Sequence, residues 1–218
     1  GWKAGVYRMQ QADIHIQRLN SQQVSQDPME GWAEAFDIDE YIDDYAELIE
    51  DGRISPEAGE KVTRNLRKQV SELQERGGIN DPKRLHQNIA FAEVNIGDSS
   101  FWVAAASGKR ASNETDEDNP LLPGPFRDER NFDHRSNGEM KPYAMWDSEA
   151  KIIEHLAHEF DLENVEGQVK LFTERPPCDS CSILLEKFGW GSEDANEEFE
   201  GVEMNVSYDE GLRVEEKQ

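Results

Sequence analysis

Cysteine and long apolar stretches are both scarce in this sequence. Only two cysteines, Cys178 and Cys181, occur among the 218 residues. Two thiols cannot make a disulfide framework for a chain of this size, and the Cys-x-x-Cys spacing indicates a metal site or a redox pair in a reducing compartment. No apolar run approaches the roughly 20 residues that a membrane-spanning helix needs. We therefore expect no membrane partner.

Basic residues are scarce as well. The chain has 23 Lys and Arg against 47 Asp and Glu, a formal net charge of -24. Proteins that grip phosphate backbones usually carry a basic stripe, and no obvious stripe is present in the sequence. The charge is compatible with solubility or a high-salt habitat. It is equally compatible with a small neutral substrate, or with a nucleic acid held mainly by local contacts.

Residues 1–80 predict a helical extension, either a linker or a cover for the domain that follows. Apolar residues at helical spacing predict a helix over 39–49. The next helix has the clearest start signal, with Ser55 as N-cap and Pro56 at the first helical position, and it ends at Gly77-Gly78. No candidate catalytic residues converge in this segment.

Residues 81–218 alternate between strand and helix patterns. The predicted order is a strand over 88–96, a strand over 101–106, a long polar loop over 107–143, a helix over 147–160, a strand over 168–173, a helix over 178–188 and a strand over 202–208. This order predicts an α/β fold, a three-layer α-β-α sandwich with an N-terminal helical extension.

The two cysteines stand where a strand gives way to a helix. Pro177 suits the turn into that helix, and Cys178 is expected at its N-terminus, where free N–H groups and the helix dipole lower a thiol pKa. Cys181 follows three residues later on the same helix face, so both sulfurs can reach one ion. A thioredoxin-like redox pair also follows a strand and opens a helix, and the spacing alone does not separate the two.

An acidic pair at the start of the preceding helix favours a metal. A catalytic zinc takes three protein ligands and keeps a position open for water. Asp147 can supply the third ligand, and Glu149 can move protons as general acid and base without binding the metal. The structural alternative is that Asp147 caps the helix and Glu149 complements its dipole. If Asp147 is not the ligand, the histidine candidates are His134, His155 and His158.

Two segments together resemble a known family. Trp146–Glu154 and Val169–Ile183 resemble the bacterial toxin deaminases of the cytidine deaminase superfamily, which are C-terminal effector domains of polymorphic secreted toxins. The usual pattern is His-x-Glu with Pro-Cys-x-x-Cys, and members of the toxin branch can carry Asp in place of the His. The resemblance implies a cytidine deaminase-like fold, zinc held by Asp147, Cys178 and Cys181, and Glu149 as the proton shuttle.

The resemblance also implies a function. It implies hydrolytic conversion of cytosine to uracil in DNA or RNA by a toxin domain that is secreted or delivered as part of a larger toxin and acts in the cytoplasm of a target cell. An immunity protein is then an expected partner. Three alternatives remain: a free nucleoside or nucleotide deaminase, a thiol-disulfide oxidoreductase using Cys178 and Cys181, and a non-catalytic zinc-stabilised binding module.

The loop before the acidic helix contains the substrate-binding candidates. It interleaves aromatic residues with arginines, a pattern that suits stacking on a flipped or single-stranded base and contact with phosphates. The residues predicted to bind substrate are Phe126, Arg127, Arg135 and Trp146. The alternative is an ordinary surface loop whose aromatic residues pack downwards.

Overall fold

The structure is a computed structural model, and it describes residues 36–76, 87–108, 119–122, 130–191 and 197–209. Its helices are α1 (Tyr45–Leu48), α2 (Pro56–Arg76), α3 (Ser148–Glu159) and α4 (Asp179–Glu186). Its strands are β1 (Ile49–Glu50), β2 (Arg53–Ile54), β3 (Ile89–Ile96), β4 (Ser99–Ala106), β5 (Arg135–Ser136), β6 (Glu139–Met140), β7 (Gly167–Thr173) and β8 (Val202–Tyr208). Short 3-10 helices lie at Ile38–Glu40 and Pro142–Trp146.

A four-stranded sheet in the order β4-β3-β7-β8 forms the centre of the molecule. β3 is antiparallel to β4 and to β7, whereas β7 and β8 are parallel. Ala90 near the start of β3 pairs with Thr173 at the end of β7. Because parallel strands need a crossover, the chain passes through α4 between β7 and β8. The start of β3, the end of β7 and the start of α4 therefore meet at one edge of the sheet.

Helices α3 and α4 cover one face of this sheet. The strand residues of that face are small or branched, including Ala92, Val94, Val103 and Leu171, and all of them are fully buried. They share one core cluster with Ile153 and Leu156 of α3, and with Leu184, Leu185 and Phe188 at the α4 end. Burial of these strand and helix side chains against one another holds the N-termini of α3 and α4 over the sheet edge.

Helix α2 covers the opposite face and starts as predicted, at Pro56 after Ser55. Val62 and Leu66 are fully buried against the sheet aromatics Phe91 and Phe172. The contact is close, because a Cβ at Gly59 would overlap the Phe172 ring. The predicted helical extension thus supplies, through α2, the second helical layer of the sandwich.

The prediction of one continuous helix over 39–49 is wrong. The segment forms the 3-10 helix Ile38–Glu40, the single turn α1, and then enters the β1–β2 hairpin. Asp44 has an extended backbone, and its Oδ1 accepts a hydrogen bond from Ala46 N at 2.9 Å. Such local side-chain capping competes with a continuous helix. Tyr41, Ile42 and Leu48 are nevertheless buried. The spacing of the apolar residues therefore predicted correctly which side chains are buried, but not that they belong to one helix.

Residues 1–35 of the predicted extension lie outside the described residues, and the remaining predicted strands and helices are confirmed to within two residues at each end. The long loop over 107–143 contains more structure than its composition indicated. Leu121 forms a parallel bridge with Ala104 beside the sheet. β5 and β6 form a tight hairpin whose turn residues Asn137 and Gly138 have φ of 53° and 79°, as a type I′ turn requires.

The layers confirm the α/β fold, a mixed sheet with helices on both faces. Within the described ranges, no helix has the length and apolar character needed to cross a membrane.

Candidate active site

Asp147 opens helix α3, but its side chain does not cap the helix. It occupies the N-cap position with an extended backbone and makes no capping hydrogen bond. Its Oδ2 instead lies 3.6 Å from Sγ of Cys178 and 3.6 Å from Sγ of Cys181. The structural alternative, in which this carboxylate serves as a helix cap, is therefore wrong.

The two cysteines begin helix α4 as the sequence predicts. Cys178 is the N-cap residue and is exposed, whereas Cys181, one turn along, is 1% exposed. Both are free thiols. The candidate ligand atoms of Asp147, Cys178 and Cys181 all lie within 4.8 Å of one another. Within the described part of the chain, these three residues form a group that could hold a metal ion.

This donor set fits a zinc ion. Tetrahedral zinc at about 2.3 Å from sulfur and about 2.0 Å from oxygen separates those two ligands by about 3.5 Å. The two sulfur–oxygen distances of 3.6 Å match that edge. Among the described residues the group has two thiols and one carboxylate, and three protein ligands with a fourth position for water are typical of a catalytic zinc site rather than a structural one.

The candidate histidines lie elsewhere. His134 is buried, with its Nε2 3.1 Å from Oε1 of Glu154. His155 packs edge-on against Phe101, and His158 is exposed in the last turn of α3. None of these described side chains belongs to the cluster around Asp147.

Glu149 is buried directly beside the cluster. Its Oε2 lies 3.6 Å from Sγ of Cys181 and accepts a hydrogen bond from Ser148 Oγ at 3.1 Å. Its Oε1 accepts from Thr173 Oγ1 at 2.5 Å and from Asn88 Nδ2 at 3.2 Å. The carboxylate is thus fixed at both oxygens, with Oε2 on the side of the sulfurs.

Burial and mutual contact shift the acidities of these groups. Burial, followed by the nearby Cys178 thiol, raises the pKa of Asp147 to about 7. Burial also raises the pKa of Glu149, against the hydrogen bond from Thr173, which lowers it. The hydrogen bond between the two cysteine side chains lowers the pKa of Cys178 to about 4. The same hydrogen bond raises the pKa of Cys181. Acidic groups crowded in this way favour a bound cation.

The cluster opens into a cavity of about 380 Å³. Its lining residues come from the start of β3, the end of β4, the start of α3 and the segment between β7 and α4: Gln87, Asn88, Ser107, Gly108, Asp147, Glu149, Arg175, Pro176 and Cys178. The volume lies at the small end of the range of roughly 300–1,000 Å³ for small-molecule sites. Such a cavity can accept a single planar ring next to Glu149.

Two polar contacts that the sequence did not indicate hold the segments that line this cavity. Lys151 is fully buried, and its Nζ donates to the carbonyl oxygens of Ala106 at 2.6 Å and Gly108 at 2.9 Å. Arg67 of α2 forms an ion pair with Glu174, the residue after β7. A lysine on a helix normally reads as a surface residue, so no sequence pattern distinguishes Lys151.

The substrate-binding candidates have varied positions. Arg135 is half-exposed on the β5–β6 hairpin, where its Nη1 donates to Gly138 O at 3.3 Å. Trp146 is half-buried in the 3-10 helix before Asp147, and its carbonyl oxygen accepts from Gly108 N at 2.9 Å. Phe126 and Arg127 lie outside the described residues. The sequence did not single out Asn88 or Arg175, which line the cavity.

The three-layer fold and a thiol–carboxylate cluster at two helix N-termini define the class as a cytidine deaminase-like domain. The family model of the toxin deaminases, described as the BURPS668_1122 family of deaminases, matches residues 64–210. The match covers more than half of the chain, and the chain belongs to this family. No curated protein and no solved structure matches the sequence.

Proposed function

We propose that the protein is a zinc-dependent hydrolytic deaminase that converts cytosine to uracil in nucleic acid. One observation carries the proposal. A donor set of Asp147, Cys178 and Cys181 lies beside a buried carboxylate, Glu149, and Asp147, Cys178 and Glu149 line a cavity of about 380 Å³. Metal donors, a proton-transferring group and room for one base are the parts that hydrolytic base deamination needs.

Zinc would be held by the Asp147 carboxylate and the two thiolates. When bound, the ion supplies a water that loses a proton near neutral pH. The low pKa of Cys178 fits this role, because a thiol must be deprotonated to bind metal. The proton transfers are carried out by a side chain of the protein.

Glu149 moves the protons of the reaction. Its Oε2 faces the sulfur of Cys181, one of the residues that would hold zinc, so it is placed to take a proton from the water that attacks C4 of cytosine. The same carboxyl group gives that proton to ring nitrogen N3, then takes the proton of the new C4 hydroxyl group and passes it to the exocyclic amine. The C4–N4 bond then breaks and ammonia leaves, which produces uracil. Burial of Glu149 keeps bulk water from competing for these protons.

A nucleic acid substrate is supported by the shape and position of the cavity. The cavity is small, opens to the surface, and carries the cationic Arg175 in its lining. A flipped or single-stranded base could enter it while flanking phosphates stay outside. Phe126, Arg127, Arg135 and Trp146 remain the proposed contacts to the flanking nucleotides. Membership of a toxin deaminase family supports delivery into a target cell and an immunity protein as partner.

The function is tested by exposing DNA and RNA to the purified chain and sequencing the products. C-to-T changes are expected with the wild-type protein, and A-to-G changes would instead indicate an adenine deaminase. Free cytidine and cytidine nucleotides form a parallel arm, since turnover there alone identifies a nucleoside or nucleotide deaminase. Stoichiometric zinc in the active protein is expected, and activity without zinc contradicts the site.

Replacing the proton shuttle is the sharpest single-residue test. Glu149→Ala is expected to lower the turnover rate by at least ~100-fold, because general acid–base catalysis usually contributes that much. Zinc should stay bound in the variant. Zinc content by elemental analysis and turnover by sequencing are the measurements. Full activity in the variant contradicts the mechanism.

A thiol-disulfide oxidoreductase is the second candidate, because the low pKa of Cys178 is also typical of redox Cys-x-x-Cys pairs. It predicts insulin reduction that is unaffected by Glu149→Ala. The position of Asp147 Oδ2 against both sulfurs favours the metal site instead.

A further inference from the structure

The side chain of Asn88 contacts four polar groups of the active site. Asn88 precedes β3 and is 8% exposed. Its Nδ2 lies 2.6 Å from Ser148 Oγ, 2.8 Å from Thr173 Oγ1 and 3.2 Å from Glu149 Oε1. Its Oδ1 accepts a hydrogen bond from Arg175 N at 3.0 Å. The backbone N–H of Arg175 can face only the amide oxygen, so the orientation of the Asn88 amide is determined.

That orientation sets the direction of two neighbouring hydroxyl groups. An amide nitrogen has two hydrogens and no acceptor, and the two shortest contacts of Asn88 Nδ2 are to the hydroxyl oxygens of Ser148 and Thr173. Both hydroxyls must therefore accept from Asn88 and have their own hydrogens to donate elsewhere. Thr173 Oγ1 donates to Glu149 Oε1, and Ser148 Oγ donates to Glu149 Oε2.

We propose that Asn88 is a positioning residue that orients the Glu149 carboxylate for proton transfer. Acting through Thr173 and Ser148, the amide nitrogen, which can only donate, leaves each carboxylate oxygen with a hydroxyl donor and holds Oε2 toward the sulfur of Cys181. The proposal rests on the proposed deaminase function, in which Glu149 is the catalytic residue. Asn88 itself does not exchange protons.

The backbone around Asn88 is held by the helix on the opposite face of the sheet. Arg67 Nη2 donates to Gln87 O at 2.8 Å, and Arg67 also pairs with the Glu174 carboxylate. Glu174 Oε1 in turn accepts from Ile89 N at 2.7 Å. Both chain neighbours of Asn88 are thus tied to α2, which gives that helix a role in supporting the active site.

The test compares substitutions that keep shape and change hydrogen-bond polarity. Asn88→Asp keeps the acceptor for Arg175 N and removes the donor. Thr173→Val keeps the volume and removes the hydroxyl, whereas Thr173→Ser retains it. Asn95→Asp is the matched control, because Asn95, near the far end of the strand that Asn88 precedes, also donates to a glutamate, Glu93 Oε1 at 3.1 Å, away from the cavity. All variants are made in the full chain.

We expect Asn88→Asp to lower kcat by about 100-fold, at the low end of what general acid–base catalysis contributes, with KM changed less than about threefold. We expect Thr173→Val to lower kcat by about 10-fold, and Thr173→Ser to restore it to within about threefold. Zinc content and unfolding midpoint should match those of Asn95→Asp, whose kcat stays at the wild-type value. Crystal structures of Asn88→Asp and Thr173→Val should show the Glu149 carboxylate rotated or in two conformers.

Several results would overturn the proposal. A kcat within twofold of wild type in both Asn88→Asp and Thr173→Val does so, as does an unmoved Glu149 carboxylate in their structures. If Asn88→Asp does not fold, the Thr173→Val and Thr173→Ser pair decides, and equal kcat values in that pair count against it. If the wild-type protein deaminates no substrate, the proposed function fails, and the position of the Glu149 carboxylate in the structures still decides the role of Asn88.

Discussion

At the scale of single residues, Asp147 shows how an ordinary helix-start residue is given a different task. Its backbone takes the N-cap conformation, yet its carboxylate turns to two sulfurs instead of to the first N–H groups of α3. Glu149 is likewise more than a first-turn acid, since donors fix both of its oxygens. The local sequence explains the backbone of both residues, and their neighbours across the sheet edge explain the side chains.

Asp147→Ala is expected to weaken zinc binding by at least ~100-fold and to abolish turnover, because the proposed zinc site would lose one of its three protein ligands. Competition with a chelator measures the affinity. Asp98→Ala, in the exposed turn between β3 and β4, is the control and should bind zinc as the wild type does. Equal zinc affinity in the two variants would remove Asp147 from the site.

Lys151 gives a prediction about pH. Burial lowers the pKa of Lys151 from 10.5 to about 7. Between these values the unfolded chain binds one more proton than the folded chain, so stability should rise with pH across that window. Relative to Lys151→Met, the wild-type free energy of unfolding should rise by about 1.4 kcal/mol per pH unit between pH 7 and pH 10. Urea unfolding of the zinc-free proteins measures this, and parallel curves would contradict it.

At the scale of elements, the helical layers have different tasks. α3 and α4 bring their N-termini, and with them the candidate metal donors, to one edge of the sheet. α2 covers the opposite face and holds the strand ends at that edge through Arg67 and Glu174. The family match begins at residue 64, inside α2, so it includes this ion pair.

Gly59→Ala tests how closely α2 packs on the sheet. In an exposed helix interior this change stabilises by up to about 1 kcal/mol. Here the added Cβ overlaps the buried Phe172 ring, so we expect destabilisation by about 1–3 kcal/mol, as for other overpacked cores. Chemical unfolding measures it, with Lys61→Ala on the exposed side of α2 as control. A stabilised Gly59→Ala variant would show that α2 packs less tightly.

At the scale of the whole molecule, the net charge of -24 opposes approach of a polyanion. Proteins that bind through many phosphate contacts lose roughly 10³–10⁵ in affinity between 50 and 200 mM salt. For this chain we expect the KM for an oligonucleotide to change less than about 10-fold over that range, because salt also screens the repulsion. Steady-state kinetics with free cytidine as the uncharged control measure it. A KM that rises by 10³-fold would indicate a basic binding surface.

The predictability of the fold varied along the chain for physical reasons. The two strands joined at Gly97, helix α3 and the α4 segment were predictable, because their apolar periods, turn residues and caps are all local. The structure of the segment over 39–49 was not predictable. Its apolar residues have helical spacing, but the side chain of Asp44 caps a new helical turn within the segment and so interrupts the helix. The β5–β6 hairpin was hidden in a polar loop, since strands of two residues have no period to detect.

The sequence by itself determined the fold class and the residues of the candidate metal cluster. Cys178 and Cys181 are three residues apart, Asp147 and Glu149 are two apart, and such short spacings survive in any helix. Only the tertiary structure brought Asn88, Thr173 and Arg67 to the site. Asn88 meets its hydroxyl partners across 60 and 85 residues of chain, and Arg67 reaches Glu174 across 107. Contacts at such separations are set by strand order and layer packing, which leave no local pattern in the sequence.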